Sequence, residues 1–143
     1  MNTLEGYSAT PLVAKLGIKE GTTVHVVHSP AEYADLLGPL PLEASIKPGK
    51  PMERVDFIHL FVTRKDELRR ELVSLVDVLR PHGTIWISWP KKASGFATDL
   101  TEDTLREVCL PLGLVDVKVC AVSQVWSGLK FVWRKEVRPT VAG

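Results

Sequence analysis

A lysine-rich loop directly follows an apolar strand in the second half of the chain. The run 84–89 predicts the strand, which breaks at Pro90, and the residues after it that could bind a ligand are Lys91, Lys92, Ser94, Gly95 and Thr98. If the strand belongs to a parallel sheet, this loop lies at the carboxyl edge, where open α/β folds bind their ligands. Paired ammonium groups beside exposed backbone are suited to anions. The alternative is a solvated loop in which Asp99 caps the next helix, and the string lacks the spacing of a Walker loop.

Three histidines lie on or beside strands that the predicted topology makes neighbours. His25 and His59 sit inside apolar runs, whereas His28 lies at the carboxyl end of the first strand. Converging imidazoles could bind a metal or transfer protons, but histidines inside apolar runs are more commonly hydrogen-bonded core residues. We therefore predict no metal site and keep His28 as a ligand-binding candidate. The candidates for a catalytic group are His28, Tyr7 and Asp99, and we assign that role to none of them.

Two tryptophans on the same strand are expected to face opposite sides of the sheet, because Trp86 and Trp89 are three positions apart. Trp86 is then a core residue, and Trp89 lines the cleft beside the lysines. Trp126 in the final turn covers the same edge, and Trp133 packs on the closing strands. An aromatic pair near lysines could hold a planar ligand, with simple packing as the alternative.

Composition is that of one globular domain. The chain has 143 residues, of which 45% are hydrophobic and 24% charged, with a net charge of +1. This balance argues against a nucleic-acid partner, which requires excess lysine and arginine. No run of about 18 uncharged apolar residues occurs, so we expect a soluble cytoplasmic protein without membrane association. Cys109 and Cys120 are predicted to be buried hydrophobes, rather than a disulfide.

Turn residues and periodicity divide the chain into alternating strands and helices. Apolar and β-branched runs predict strands at 23–27, 55–62, 84–89, 114–122 and 129–134, with a short edge strand around 43–46. Cap residues and helical spacing predict helices at 11–16, 30–37, 64–79 and 101–112. The expected caps are Thr10, a capping box from Ser29 to Glu32, and Thr63 with Asp66.

The short link 123–128 favours an antiparallel pairing of the last two strands, since a parallel partner needs a longer crossover. The predicted fold is therefore α/β, a mostly parallel Rossmann-like sheet with helices on both faces and an antiparallel C-terminal strand pair. We expect a single domain over 1–143, with 1–9 and 139–143 loosely ordered.

From Val55 to Arg134 the sequence resembles the second half of class I S-adenosylmethionine-dependent methyltransferases. Asp56, the Pro81-His82-Gly83 turn and the closing strand pair lie where that template has them. Shorter phrases resemble a bacterial family of short methyltransferase-like proteins classed as a domain of unknown function. These phrases are Gly6-Tyr7-Ser8, Thr10-Pro11-Leu12, 89–95, 98–103 and 126–130. The resemblance implies a methyltransferase-like fold and a flap containing Tyr7 over the carboxyl edge, and it implies no particular activity.

The sequence departs from those enzymes at the positions that bind the cofactor. The enzymes follow their first strand with a glycine-rich turn and place an acid after the second strand. Here the segment 28–32 contains no glycine, and Ser29 is expected to cap the helix that would face a ligand. Between Ile46 and Val55 there is no room for the helix and strand that the full fold inserts. We therefore expect no resident cofactor, with S-adenosylmethionine as the alternative.

Three hypotheses of function follow from these observations. The first is a non-catalytic, methyltransferase-like binding or regulatory domain whose cleft takes a small molecule or an anion. The second is an enzyme that uses the same cleft, either a minimal S-adenosylmethionine-dependent methyltransferase or an unrelated acid/base catalyst. The third is a protein-interaction module or a homodimer that pairs along the antiparallel edge.

Overall fold

Six strands form one sheet in the computed structural model, which describes residues 10–143. They are β1 (Thr23–Val27), β2 (Ser45–Pro48), β3 (Val55–Phe61), β4 (Leu79–Pro90), β5 (Leu114–Ala121) and β6 (Trp126–Trp133). The order across the sheet is β2-β1-β3-β4-β6-β5; the first four strands are parallel, and β6 pairs antiparallel with both β4 and β5. The predicted mostly parallel sheet with an antiparallel closing pair is confirmed.

Helices cover both faces of the sheet, and each face has its own apolar cluster. The helices are α1 (Leu12–Leu16), α2 (Tyr33–Leu37), α3 (Lys65–Val78) and α4 (Glu102–Cys109). The main cluster contains Leu72 of α3, Leu105 of α4 and Trp89. The second cluster contains Leu16 of α1, Tyr33 of α2 and Trp86. The predicted placement of Trp86 and Trp89 on opposite faces is therefore confirmed.

Three early elements begin at other residues than the sequence predicted. The expected capping box does not form, because Ser29 Oγ donates to the Pro30 carbonyl at 3.0 Å and α2 begins only at Tyr33. The edge strand lies at 45–48 rather than 43–46, since Glu43 has φ 61°, which is outside the extended range. Likewise α1 begins at Leu12 with Pro11, not Thr10, in the N-cap position.

The long helix α3 receives its cap from a distant loop. Its N-cap position is Arg64, and the Lys65 N–H donates to Asp99 Oδ1 at 2.8 Å, across 34 positions of the chain. The predicted cap by Thr63 and Asp66 is wrong. Asp99 was expected to cap α4, but Thr101 accepts from the Thr104 N–H there. Asp99 thus attaches the loop after β4 to the start of α3.

Replacing Asp99 by alanine is expected to lower the free energy of unfolding by about 1 kcal/mol, the usual effect of removing a side-chain helix cap. Chemical denaturation measures this change. Asp35→Ala is the matched control, because Asp35 is an exposed carboxylate on α2 with no partner among residues 10–143. Equal losses in the two variants would contradict the capping role.

The crossover from β2 to β3 contains no helix. It consists of residues 49–54, which we call the strap, whereas parallel strands usually need a dozen or more residues between them. Gly49 N–H donates to the Val26 carbonyl at 2.9 Å, and Lys50 Nζ lies 2.8 Å from Glu71 Oε1 on α3. The expectation that this segment holds no additional helix and strand is confirmed.

Several smaller expectations concern the rest of the chain. Both cysteines are free thiols, with Cys109 buried and Cys120 half-buried, and burial raises both pKa values.

At the end of the chain, Arg138–Thr140 form a 3₁₀ turn, and Val141 packs against the main cluster. Residues 1–9, with Tyr7, lie outside the described part. Among residues 10–143, none of the helices combines the length and apolar character that a bilayer crossing requires.

Candidate functional site

A cavity of about 400 Å³ opens at the carboxyl ends of β1, β3 and β4. We call it the edge cavity. Its lining residues come from four separate segments and are mostly apolar: Pro30, Ala31, Glu32, Thr63, Pro90, Phe96, Val125 and Trp126. The Phe96 side chain is 61% exposed, and Trp126 is half-buried. Its volume is within the range of small-molecule sites.

The predicted lysine loop forms one border of the edge cavity, between Pro90 and Phe96. Ser94 Oγ donates to the Lys91 carbonyl at 2.6 Å and accepts from the Phe96 N–H at 3.2 Å. Gly95 adopts φ 81°, which closes the turn. The Ser94 hydroxyl is therefore used within the loop. The ammonium groups of Lys91 and Lys92 have no partner within the described residues, and so they remain available to an anion.

Other predicted site residues shape the wall of the edge cavity. Thr98 Oγ1 donates to the Thr63 carbonyl at 2.7 Å and accepts from the Leu100 N–H at 3.1 Å. Trp89 is 6% exposed and belongs to the main cluster, and it is not among the lining residues. Thr98 and Trp89 therefore support the loop from behind, and we do not assign them ligand contacts.

His28 lies at the end of β1 in the left-handed conformation, with φ 59°, which favours glycine. Its Nε2 lies 2.9 Å from Glu71 Oε2, and Lys50 reaches the other oxygen of that carboxylate. Burial tends to raise the pKa of Glu71, but hydrogen bonds and charges from Lys50 and His28 outweigh burial and lower it. Where the resembling enzymes have a glycine turn and an acid after the second strand, this chain has three ionisable side chains in contact, His28, Lys50 and Glu71, which we call the ion cluster.

The three histidines do not converge. His59 is fully buried, with Nδ1 2.8 Å from Tyr33 Oη and Nε2 2.8 Å from Ser88 Oγ, and burial lowers its pKa to about 3. It is a neutral core histidine, which is the alternative that its apolar run favoured. Residues 10–143 contain no group of three side chains placed to hold a metal ion.

His25 faces the strap and is only half-buried there. Two cavities of about 430 and 440 Å³ meet there and share Thr23, His25, Arg54 and Val55. His25 is half-buried, and burial followed by the charge of Lys47 lowers its pKa. The prediction of a core histidine at this position is wrong, because the crossover lacks the helix that would have buried it.

Sequence reasoning missed most of the lining of the edge cavity. Thr63 was considered only as a helix cap, Phe96 and Val125 were not singled out, and Glu71 was not connected with His28. A lone aromatic residue in a loop rich in lysine, serine and glycine is a sequence signal that could have identified Phe96. Nothing local in the sequence brings Thr63 and Val125 together, because they follow different strands.

Several solved structures of methyltransferases share this architecture. A putative type 11 methyltransferase from Sulfolobus solfataricus matches with a TM-score of 0.60 and 13% identity, covering 87% of this chain and 90% of that one. A methyltransferase from Aquifex aeolicus, described as SAM-dependent, matches with a TM-score of 0.57 and 15% identity, covering 84% of this chain and 86% of that one. A ribosomal protein L11 methylase from Lactobacillus delbrueckii subsp. bulgaricus matches with a TM-score of 0.60 and 11% identity, covering 86% of this chain and 75% of that one. The fold is methyltransferase-like.

At these identities the likeness concerns the fold alone. No protein-family model matches the chain, and no curated protein sequence matches it. The narrower resemblance to short bacterial methyltransferase-like proteins therefore stays a prediction. In this methyltransferase-like sheet the strap alone connects β2 to β3.

Proposed function

We propose that this chain is a non-catalytic, methyltransferase-like binding domain that holds a small planar ligand in the edge cavity. The observation that carries the proposal is that two aromatic side chains, Phe96 and Trp126, both line an apolar cavity at the carboxyl edge of the sheet. Aromatic side chains bind planar molecules by stacking and by apolar contact. Lys91 and Lys92 lie in the loop that borders the cavity, their ammonium groups have no partner within residues 10–143, and they favour a ligand with an anionic group.

The surroundings of the edge cavity support binding rather than catalysis. His28 is engaged by Glu71, His59 is sealed in the core, and neither is a lining residue. Asp99 is committed to the start of α3. A general base has to reach its proton directly or through one water molecule, so these groups are poorly placed for that role. Tyr7 lies outside the described residues and stays a prediction.

The ion cluster at the end of β1 supports a ligand other than S-adenosylmethionine. A cofactor in that position needs close access to the backbone after β1 and an acceptor for its ribose hydroxyls. Instead, the turn after β1 contains His28, which has a side chain where glycine would leave the backbone open, and the first charged group after β2 is the ammonium of Lys50. The chain thus presents an imidazole at the first point and, at the second, an ammonium group that is already paired with the Glu71 carboxylate.

Anilinonaphthalene sulfonate, a planar apolar anion, is a suitable probe of the edge cavity. We expect one molecule to bind per native chain, with an increase in its fluorescence. Phe96→Ala is expected to weaken binding about tenfold, because it removes one aromatic wall worth about 1.4 kcal/mol. Met52→Ala is the matched control, since Met52 is 87% exposed and lies outside the edge cavity.

Two results would count against the proposed function. Identical titration curves for Phe96→Ala and Met52→Ala would remove the edge cavity as the site. Calorimetry that detects micromolar binding of S-adenosylmethionine would overturn the cofactor-independent proposal and favour a minimal methyltransferase.

A further inference from the structure

Three side chains lie side by side across the sheet on the face that α1 covers. Trp86 of β4 pairs with Lys130 of β6, and Lys130 pairs with Lys118 of β5. Both ends of this row bond to the end of α1: Trp86 Nε1 donates to the Leu16 carbonyl at 2.8 Å, and Lys118 Nζ donates to the Lys15 carbonyl at 3.1 Å. Lys130, in the middle, is half-buried, and its ammonium group has no hydrogen bond within residues 10–143.

The end of α1 brings further positive charge to this row. The charges of Lys15 and Lys118 both oppose the rise that burial causes in the pKa of the Cys120 thiol, and the charge of Lys19 lowers the pKa of Lys130. We call Lys15, Lys19, Lys118 and Lys130 the lysine cluster. None of the four forms an ion pair with a carboxylate in the described part of the chain. By contrast, Lys50 and Lys65 each have a carboxylate partner within 2.8 Å.

This arrangement costs stability. Like charges directly opposite one another in an antiparallel ladder are destabilising, and Lys118 and Lys130 are such a pair. Burial, then Lys118 and Lys19, lower the pKa of Lys130. Carbonyl groups at the end of a helix attract cations, which accounts for Lys118. This attraction does not account for Lys130, because the charged groups that affect its pKa, Lys118 and Lys19, are both positive.

We propose that the lysine cluster binds a compact polyvalent anion of the phosphate class. Such an anion would replace mutual repulsion among the ammonium groups by attraction to a shared partner. The charges converge on Lys130 from β5 and from the segment after α1, rather than following a line as contacts to a nucleic-acid backbone do. The edge cavity includes none of the four lysines, so this site is independent of the proposed function.

Inorganic tripolyphosphate is the probe, with sodium chloride at equal ionic strength as the control for screening. We expect tripolyphosphate to raise the melting temperature of the wild-type protein saturably and beyond the effect of chloride, because a ligand that binds the native state stabilises it. Lys130→Met is expected to melt higher than the wild type in the absence of the anion and to bind tripolyphosphate at least tenfold more weakly. A lysine that served only solubility would show neither change.

Two further variants make the test specific. Lys118→Arg keeps the charge and a donor for the Lys15 carbonyl, and we expect it to retain binding. Lys135→Met removes an exposed lysine outside the cluster and should behave as the wild type. The proposal is overturned if chloride reproduces the whole effect of tripolyphosphate, or if Lys130→Met and Lys135→Met bind the anion equally. Binding of a mixed-sequence RNA oligonucleotide without binding of tripolyphosphate would also overturn it.

Discussion

The single side chain of His59 is expected to lower the free energy of unfolding by about 1.4 kcal/mol for each pH unit below about 6.5. Burial lowers the pKa of this side chain from 6.5 to about 3. Between these two values the unfolded chain binds a proton at this histidine, and the folded chain does not. The stability contributed by the neutral side chain is therefore fully present above pH 6.5 and is lost as the pH falls towards 3.

Denaturant titrations at several pH values between 7 and 4 measure this loss. His59→Gln is the test variant, because an amide keeps a donor and an acceptor for Tyr33 and Ser88 but has no proton to gain. We expect its stability to depend much less on pH in this interval. Glu71 also has a lowered pKa, and its contribution is lost in the same direction at lower pH. It is common to the wild type and the variant, so it cancels in their difference.

A second histidine provides the control for this experiment. His25→Gln removes a group whose pKa is also lowered, by burial and by Lys47, but His25 is half-exposed. Its effect on the pH dependence should be much smaller. If the wild type and His59→Gln lost the same free energy between pH 7 and 4, His59 would not be the group responsible.

Trp86→Ala is expected to lower the free energy of unfolding by about 4 kcal/mol, which is typical of removing a buried tryptophan. Trp86 is fully buried in the second cluster, and its indole N–H bonds the Leu16 carbonyl at the end of α1. The variant loses apolar contacts and also the hydrogen bond that attaches α1. We therefore expect α1 to lose protection in hydrogen exchange along with the overall loss of stability.

Two other substitutions separate the contributions at this position. Trp86→Phe retains most of the apolar volume but leaves the Leu16 carbonyl without its donor, so its cost should be roughly 1–3 kcal/mol. Trp126→Ala removes a half-buried tryptophan from the same cluster and should cost less than Trp86→Ala. Equal losses for Trp86→Ala and Trp126→Ala would show that the attachment of α1 contributes little.

Patterns contained within one element predicted the sheet well. The β-branched run 23–27 forms β1 with the same bounds, and the short link before β6 correctly indicated antiparallel pairing. Predictions failed where a remote residue competes with a local one. Thr63 and Asp66 have the spacing of a capping box, yet Asp99 provides the cap because the fold brings it to the start of α3.

The candidate site was only partly predictable for the same physical reason. The sequence indicated the carboxyl edge and the lysine loop, since both follow from one strand and the turn after it. The edge cavity also needs Pro30, Thr63 and Val125, whose proximity depends on the order of the strands. His28 was identified by its position at the strand end, but its bond to Glu71 depends on how α3 crosses the sheet.

The strap limits how β2 can be positioned. Its seven backbone steps, from Pro48 to Val55, span at most about 24 Å when fully extended. They must cover roughly 16 Å in a straight line, given four residues along β1 and two strand spacings across it. About 8 Å of reach remains for the strap to arch over the side chains of β1. The strap thus acts as a short tether: removing two residues would leave a reach of about 17 Å, almost no more than the span, and would pull β2 out of register, whereas inserted residues would only enlarge a loop. Positions 50–53 are accordingly where a new segment could be grafted into this sheet without disturbing its pairing.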